Sequence, residues 1–333
     1  MLTVKEVPTT RLGRRGPRVS VIGVGLWQAG SILWNARSRE TLLEIRRGLL
    51  RALEYGINFF DTAEIYGRGL SEKILGETIG KRDDVIVATK VAGYRWTRWD
   101  ILKAVKRSRT RLGRDIDLIQ HHWPPPIYAP VCNVIRALEE AVDKGLAHHI
   151  GLSNYPESLL EKSLECLKKY DILSNQVQYS LGYRTPENHL KPLMEKHGII
   201  LIAWSPLAKG ALAGAKPSTL AQRLDPVFRR VAGDRELLNT LRAIAEKRGV
   251  TMAEIALAWL IAKRAIPIPG FRRATRIDSF VRAATLRLSD EDIEMLDRAS
   301  AKYLRVYGER YNSLQLNRYI PGVLQRLVLA LGV

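Results

Sequence analysis

Four residues in this chain have the types and the spacing to move protons together: Asp61, Tyr66, Lys90 and His122. Asp61 closes the apolar run Ile57-Asn58-Phe59-Phe60, and Tyr66 comes next in the glycine-bounded loop Thr62-Ala63-Glu64-Ile65-Tyr66-Gly67. Lys90 ends Val85-Ile86-Val87-Ala88-Thr89, and His122 ends Asp117-Leu118-Ile119-Gln120-His121. A carboxylate steadies a buried ammonium, and an ammonium next to a phenol favours phenolate and lowers its ordinary titration near pH ~10. The set predicts a tyrosine acid with its pKa lowered by Lys90 and with Asp61 holding the lysine, able to protonate a developing alkoxide near neutral pH. Any one of these residues alone reads equally well as an ordinary buried ion pair or a packed ring. Four at one place do not.

Whether they meet depends on the elements that carry them. Runs that are apolar on both faces and stop at an ionisable residue read as buried parallel strands with the polar residue at the C-terminal mouth. Strand alternation puts Phe59 with Asp61, Ile86 and Ala88 with Lys90, and Leu118 and Gln120 with His122 on shared faces. The adjacent His121 must then point away from His122, and no zinc-type spacing is present, so no metal is expected.

Helical patterns at 39–55, 70–80, 98–113, 131–144, 156–169, 186–197 and 251–263 alternate with strand patterns at 57–61, 84–90, 116–122, 147–152, 173–178, 199–204 and 265–269. With 21–25 the strands number eight, which predicts an α/β chain folded as a single (β/α)8 TIM barrel over 1–333, with its chemistry at the C-terminal mouth. A β-hairpin at about 8–20 caps it. An elaborated loop and helix at 210–233, an extra C-terminal helix at 289–302 and a tail at about 303–333 complete it. Gly23 and Gly25 tempt towards a G-x-G-x-x-G dinucleotide fold, but the third position is Gln28 and a loop comes after it rather than a helix.

Composition narrows the function classes. The apolar share of 46% and charged share of 26% are those of a soluble globular protein, and no window approaches a membrane-spanning run. The balance of 53 Lys+Arg over 34 Asp+Glu, +19, is spread along the chain without a basic arm or an aromatic RNA motif. Nucleic acid is therefore not expected as a primary partner. Met1 to Glu6 lack an apolar signal core and two cysteines make no disulfide framework, so the cytoplasm is the expected location. Cys132 and Cys166 fall in helical patterns and are expected as small core residues.

The strings Gly56-Ile57-Asn58-Phe59-Phe60-Asp61-Thr62-Ala63-Glu64-Ile65-Tyr66-Gly67, Thr89-Lys90, His122-Trp123-Pro124, Gly151-Leu152-Ser153-Asn154-Tyr155, Asn175-Gln176-Val177-Gln178, Trp204-Ser205-Pro206-Leu207-Ala208 and Ile266-Pro267-Ile268-Pro269-Gly270 resemble the aldo-keto reductase family. The resemblance covers about 8–300 in consistent order and implies hydride transfer between NADP(H) and a small-molecule carbonyl substrate without a Rossmann domain. It implies Tyr66 as general acid, Lys90 and Asp61 as its tuning pair, and His122 as the group that orients the carbonyl oxygen. Ser153, Asn154 and Gln176 match the positions that hold the carboxamide, and Trp204 the stacking aromatic. Ser205, Pro206, Leu207 and Ala208 match the pyrophosphate loop, and Gly270, Arg272, Arg276 and Ser279 the 2'-phosphate segment. Leu26, beside Trp27, stands where many members have Thr. Phe280 stands where the family usually has an adenine-contacting Asn, and it either stacks on the base or packs in the core.

Tyr94, Arg95, Trp96 and Trp99, with Trp123 to Tyr128, are expected to ring a pocket suited to apolar or aromatic aldehydes or ketones, and any one of these aromatics alone reads equally well as helix packing. The tail has three readings, folding over the mouth, joining subunits of a homo-oligomer or touching a membrane surface through a basic amphipathic face, and the first two are expected. The alternative function is an NADPH-binding, redox-sensing regulatory subunit of slow turnover, similar to the potassium-channel β-subunit branch.

Overall fold

A computed structural model describes residues 6–305 and 317–330. The expected hairpin forms from β1 (Thr9–Arg11) and β2 (Arg18–Ser20), paired antiparallel. Its Leu12 and Val19 enter a cluster with Phe59, Ala88, Leu118, Leu173, Ile202, Ile266 and Ile268. Those are inward-facing strand positions, so the hairpin plugs the bottom of a barrel with apolar side chains.

The barrel has eight parallel strands in sequence order: β3 (Val24–Gly25), β4 (Phe59–Asp61), β5 (Ile86–Val91), β6 (Ile116–His121), β7 (Ala147–Ser153), β8 (Ile172–Gln178), β9 (Ile200–Trp204) and β10 (Ala265–Pro267). The seam between first and last strand is closed by backbone bonds, Gly23 N to Pro267 O at 2.9 Å and Gly25 N to Pro269 O at 3.1 Å. A side chain at Gly25 would meet the Ile268 carbonyl at 2.7 Å, so glycine lets the two strands approach.

Helices α1 (Arg39–Glu54), α2 (Leu70–Ile79), α3 (Arg98–Leu112), α4 (Val131–Asp143), α5 (Glu157–Cys166) and α6 (Leu190–His197) cover the outside between successive strands. After β9 come α7 (Leu220–Arg223), α8 (Pro226–Ala232), α9 (Arg235–Arg248) and α10 (Met252–Ala262); after β10 come α11 (Arg276–Thr285) and α12 (Asp290–Ala299). Neither α9 nor α11 is among the helices expected from the sequence pattern. The strand patterns at 21–25, 57–61, 116–122, 199–204 and 265–269 overrun the observed strands by one to three residues, whereas β5, β7 and β8 each extend one residue past an expected bound. Phe280 is 3% exposed within the main core, which decides its two readings in favour of packing.

Cys132 on α4 and Cys166 at the end of α5 are disulfide-bonded, with Cα atoms 5.1 Å apart. This corrects the expectation of two separate core thiols. Their positions lie 34 apart in sequence, and only the placement of α4 beside α5 on the outer layer brings them together.

The tail from 317 seats on the loops after β5 and β6. Ile127 N donates to Arg318 O at 3.0 Å, and on α13 (Gly322–Ala330) Gln325 accepts from Trp123 Nε1 at 3.0 Å and Arg326 donates to Asp100 at 2.6 Å. Residues 306–316 and 331–333, also assigned to the tail, lie outside the described residues.

Candidate active site

β4, β5 and β6 lie side by side and deliver Asp61, Lys90 and His122 to one mouth. Lys90 is fully buried and Asp61 is 2% exposed. The Lys90 ammonium donates to Asp61 Oδ1 at 2.5 Å, to the Thr62 carbonyl at 2.9 Å and to Tyr66 Oη at 3.4 Å. Tyr66 rises into place because the chain turns sharply after it: Gly67 and Arg68 have φ of 55° and 58°, and Gly69 has φ of 90°. A Cβ on Gly67 would sit 2.9 Å from the Ala29 carbonyl, so both its dihedral and its space require glycine. Tyr66 Oη lies 3.5 Å from His122 Nε2, with the two rings edge to face. Tyr66 is half-buried while His122 is buried.

Asp61 has three partners. Its Oδ2 accepts from Gln120 Nε2 at 3.1 Å and from Gln176 Nε2 at 2.8 Å, and Gln176 also donates to Gln120 Oε1 at 3.3 Å. Gln120 is the functional residue that sequence reasoning missed. Its alternation with His122 put it on the inward face, but its partner comes from two strands away.

Charge and burial set the protonation states. Burial pulls Lys90 down, but the attraction of Asp61 and Tyr66 outweighs it and its pKa is raised, so it is an ammonium. His122 is pushed well below the ordinary imidazole value by burial, with Lys90 and His121 adding repulsion, and is neutral. For Tyr66 the sequence expectation is corrected. Burial raises its pKa and outweighs the lowering by Lys90, so the phenol is held protonated rather than poised near neutrality. A protonated phenol is still an acid for an alkoxide, whose own affinity for a proton is far higher.

His121 turns away from its neighbour, as alternation requires. Its Nε2 donates to the Arg95 carbonyl at 2.8 Å, leaving Nδ1 to accept from Tyr155 Oη at 2.8 Å, and burial lowers its pKa to about 4. Arg95, expected on the rim of the pocket, is instead sequestered in ion pairs with Glu64 and Asp100. Trp123 is buried with its ring against that of His122 at 4.9 Å, Tyr94 packs on Trp123, and Trp96 packs on Tyr128. Trp99 lies on the outside of α3, 68% exposed, under the Lys103 ammonium.

The remaining predicted positions gather on the other side of the mouth, where β7 to β10 and β3 end. Ser153 Oγ donates to the Gln176 carbonyl at 3.0 Å, and Asn154 Nδ2 donates to the His122 carbonyl at 2.9 Å. Asn154 Oδ1 accepts from Trp204 Nε1 at 3.0 Å and so fixes the indole, which is half-buried. After Trp204 the backbone of Ser205, Ala208, Lys209 and Gly210 adopts positive φ (52°, 46°, 55° and 103°), with Pro206 and Leu207 between them. Within this turn Ala208 N donates to the Ser205 carbonyl at 2.9 Å and Gly210 N to the Leu207 carbonyl at 2.8 Å. The Ser205 hydroxyl is buried without a hydrogen-bond partner, as is Gln28 Oε1 beside Gly270. Leu26 is packed in the core, and Trp27 lies between Trp34 and the Lys209 ammonium. Arg272 and Arg276 are exposed and Ser279 is half-buried on α11. Two basic surface clefts share none of these residues: one of 930 Å³ lies between the end of α3 and the segments that lead into β5, β6 and β7, and one of 580 Å³ runs along α3.

Known proteins resemble this chain over most of its length. The sequence model of the aldo/keto reductase family matches residues 21–301. The chain is 35% identical over 312 residues to the chloroplastic pyridoxal reductase of Arabidopsis thaliana, covering 86% of this chain and 85% of that one. It superposes on a thermostable aldo-keto reductase crystallised with the inhibitor epalrestat, with a TM-score of 0.76 at 30% identity, covering 88% and 99% of the two chains. It also superposes on an aldo-keto reductase of Klebsiella pneumoniae in complex with NADPH, with a TM-score of 0.73 at 25% identity, covering 92% and 99%. A barrel that carries Asp61, Lys90 and His122 at or beside the C-terminal ends of β4, β5 and β6 around Tyr66, matched by the family over most of its length, makes this chain a member of the aldo/keto reductase family of oxidoreductases.

Proposed function

We propose that this chain is an NADP(H)-dependent carbonyl reductase that converts aldehydes or ketones to alcohols, with Tyr66 as the general acid. The observation that carries the reading is the position of Tyr66 Oη, 3.4 Å from the Lys90 ammonium and 3.5 Å from His122 Nε2. A carbonyl oxygen seated between phenol and imidazole receives the Tyr66 proton as its carbon is reduced. Neutral His122 orients that oxygen without competing for the proton, and Lys90, itself held by Asp61, stabilises the phenolate left behind.

The residues present fit the cofactor. The positive-φ turn at Ser205 to Gly210 and the unpartnered Ser205 hydroxyl suit a pyrophosphate, the half-buried Trp204 offers a ring to a nicotinamide, and exposed Arg272 and Arg276 suit a 2'-phosphate dianion. Bound there, NADPH supplies the hydride. Ser153, Asn154 and Gln176 stand where a carboxamide would be held, although the Gln176 amide also serves Asp61. The NADPH complex of the Klebsiella protein supports the cofactor, and the pyridoxal reductase supports an aromatic aldehyde as the substrate class. Trp123, Tyr94, Trp96 and Tyr128 supply apolar walls for such a ring.

The test is a panel of aromatic and aliphatic aldehydes and ketones, each offered with NADPH and with NADH. Multiple turnovers with NADPH and a preference for aromatic carbonyls support the reading. Absence of turnover with every carbonyl and either cofactor refutes it.

A further inference from the structure

We propose that Arg95 is a positioning residue for this reduction, its side chain setting the turn that carries Tyr66 and its backbone carbonyl setting the strand end that carries His122. The inference rests on the carbonyl-reductase reading and deepens it, since Arg95 touches none of the four reacting groups.

The side-chain half is a bidentate ion pair. Arg95 Nε donates to Glu64 Oε1 at 2.7 Å and Nη2 donates to Glu64 Oε2 at 3.0 Å, and Glu64 Oε1 also accepts from Ala92 N at 2.7 Å. Glu64 is two positions before Tyr66 on the same turn. The pair is largely buried, 12% and 7% exposed at Arg95 and Glu64, so salt screens it much less than a surface pair. The guanidinium's remaining donor edge goes to Asp100 at the start of α3, and Asp100 Oδ2 accepts from Arg326 on α13 at 2.6 Å. One largely buried cation thus joins the Tyr66 turn to α3 and, through Asp100, to the C-terminal helix.

The backbone half reaches the other catalytic group. The Arg95 carbonyl accepts from His121 Nε2 at 2.8 Å, and His121 is the residue before His122 on β6. Because Tyr155 binds the other imidazole nitrogen, the ring has no second orientation that keeps both bonds. Any shift of Arg95 moves Glu64 and His121 together, and with them the hydroxyl and imidazole that must meet one carbonyl oxygen. Those two stand 3.5 Å apart, so the geometry leaves little room for drift. Misplacement of reacting groups by about 1 Å can cost on the order of 100-fold in rate. Lysine has one point donor and cannot reproduce the fork.

The experiment compares wild type with Arg95→Ala, Arg95→Lys, Glu64→Gln and the double variant Glu64→Ala/Arg95→Ala in the full chain. Steady-state kinetics, NADPH affinity by fluorescence quenching, the isotope effect with deuterated NADPH and Tm are read for each. The expected result is a fall in kcat of roughly 10- to 100-fold for Arg95→Ala. Arg95→Lys and Glu64→Gln should fall between it and wild type, with carbonyl KM and NADPH affinity within about threefold. The isotope effect rises as hydride transfer becomes more rate-limiting, and the double variant is no worse than Arg95→Ala, because the pair acts as a unit. A kcat within twofold of wild type in Arg95→Ala overturns the proposal. So does a loss shared in proportion by kcat, KM, cofactor affinity and Tm, which marks a merely structural residue. Tyr66→Phe separates the two levels: if it turns over normally the reductase reading itself fails, whereas a dead Tyr66→Phe with unimpaired Arg95 variants sinks this inference alone.

Discussion

Asp61→Asn removes one charge while keeping the side chain's shape, and its cost can be worked from the three hydrogen bonds that the carboxylate accepts. They come from Lys90, Gln120 and Gln176, and an amide has only one accepting oxygen. If that oxygen faces Lys90, the new NH2 confronts two amide donors; if it faces the glutamines, the NH2 confronts an ammonium. Turning Gln120 to accept would forfeit its bond from Gln176. The fully buried Lys90 also loses its counter-ion, and breaking a buried ion pair in this way costs about 3–5 kcal/mol. The pH dependence carries a distinctive sign. In wild type the Lys90 pKa is raised above its unfolded value, so its stabilising contribution is fully present below the unfolded pKa near ~10.4 and is lost as pH rises through the folded value. In the variant only Tyr66 still opposes burial, the largest single influence on Lys90, and the Lys90 pKa is expected to fall below its unfolded value, so the unfolded state binds the extra proton and stability rises with pH until the unfolded pKa is reached. Urea unfolding followed by tryptophan fluorescence at a series of pH values measures both curves. The penalty is expected to be largest near neutrality and to shrink towards alkaline pH. A penalty below about 0.5 kcal/mol at neutral pH, or one that does not change with pH, refutes the assignment of Asp61 as the counter-ion of Lys90.

Other perturbations have equally definite outcomes. Cys132→Ser should lower stability by about 3–4 kcal/mol, the chain-entropy value for a loop of this length, or about 5 °C in Tm, with kcat unchanged; an equal loss of activity would show that α4 and α5 feed into the site. Because His122 is held neutral and Tyr66 protonated, kcat/KM for reduction should be flat from about pH 6 to about pH 9 and fall only on the alkaline side, where the acid ionises. An acid limb near pH ~6.5 in that profile would contradict a neutral His122. Arg276→Glu should raise the KM for NADPH by roughly 10- to 100-fold and leave that for NADH unchanged, since a lost charge-assisted bond is worth about 1.5–3 kcal/mol; equal effects on both would remove Arg276 from the 2'-phosphate site.

How far the sequence could be read depended on whether a feature is local. The period-2 alternation of three apolar strands is local, and it was enough to place Asp61, Lys90 and His122 at one mouth; the regular succession of strands and helices was enough for the barrel. What failed depends on packing between segments distant in the chain. Gln120 matters because β6 and β8 both face Asp61 across the barrel, and the cysteine bridge exists because α4 and α5 are neighbours on the outside. The direction of the Tyr66 pKa shift is a contest between a nearby charge, visible in the sequence, and burial, which is not. Arg95 looked like a rim residue because its neighbours are aromatic, and only the fold reveals Glu64 and Asp100 against its guanidinium.

The central claim is that Tyr66 delivers the proton as hydride moves, and a single-turnover measurement tests it most directly. NADPH-loaded Tyr66→Phe is mixed with an aromatic aldehyde that the wild type reduces, and loss of the reduced-nicotinamide absorbance is followed. The account predicts a rate roughly 10²- to 10⁴-fold below wild type with NADPH affinity unchanged, the usual contribution of a positioned general acid. A rate within twofold of wild type would contradict it.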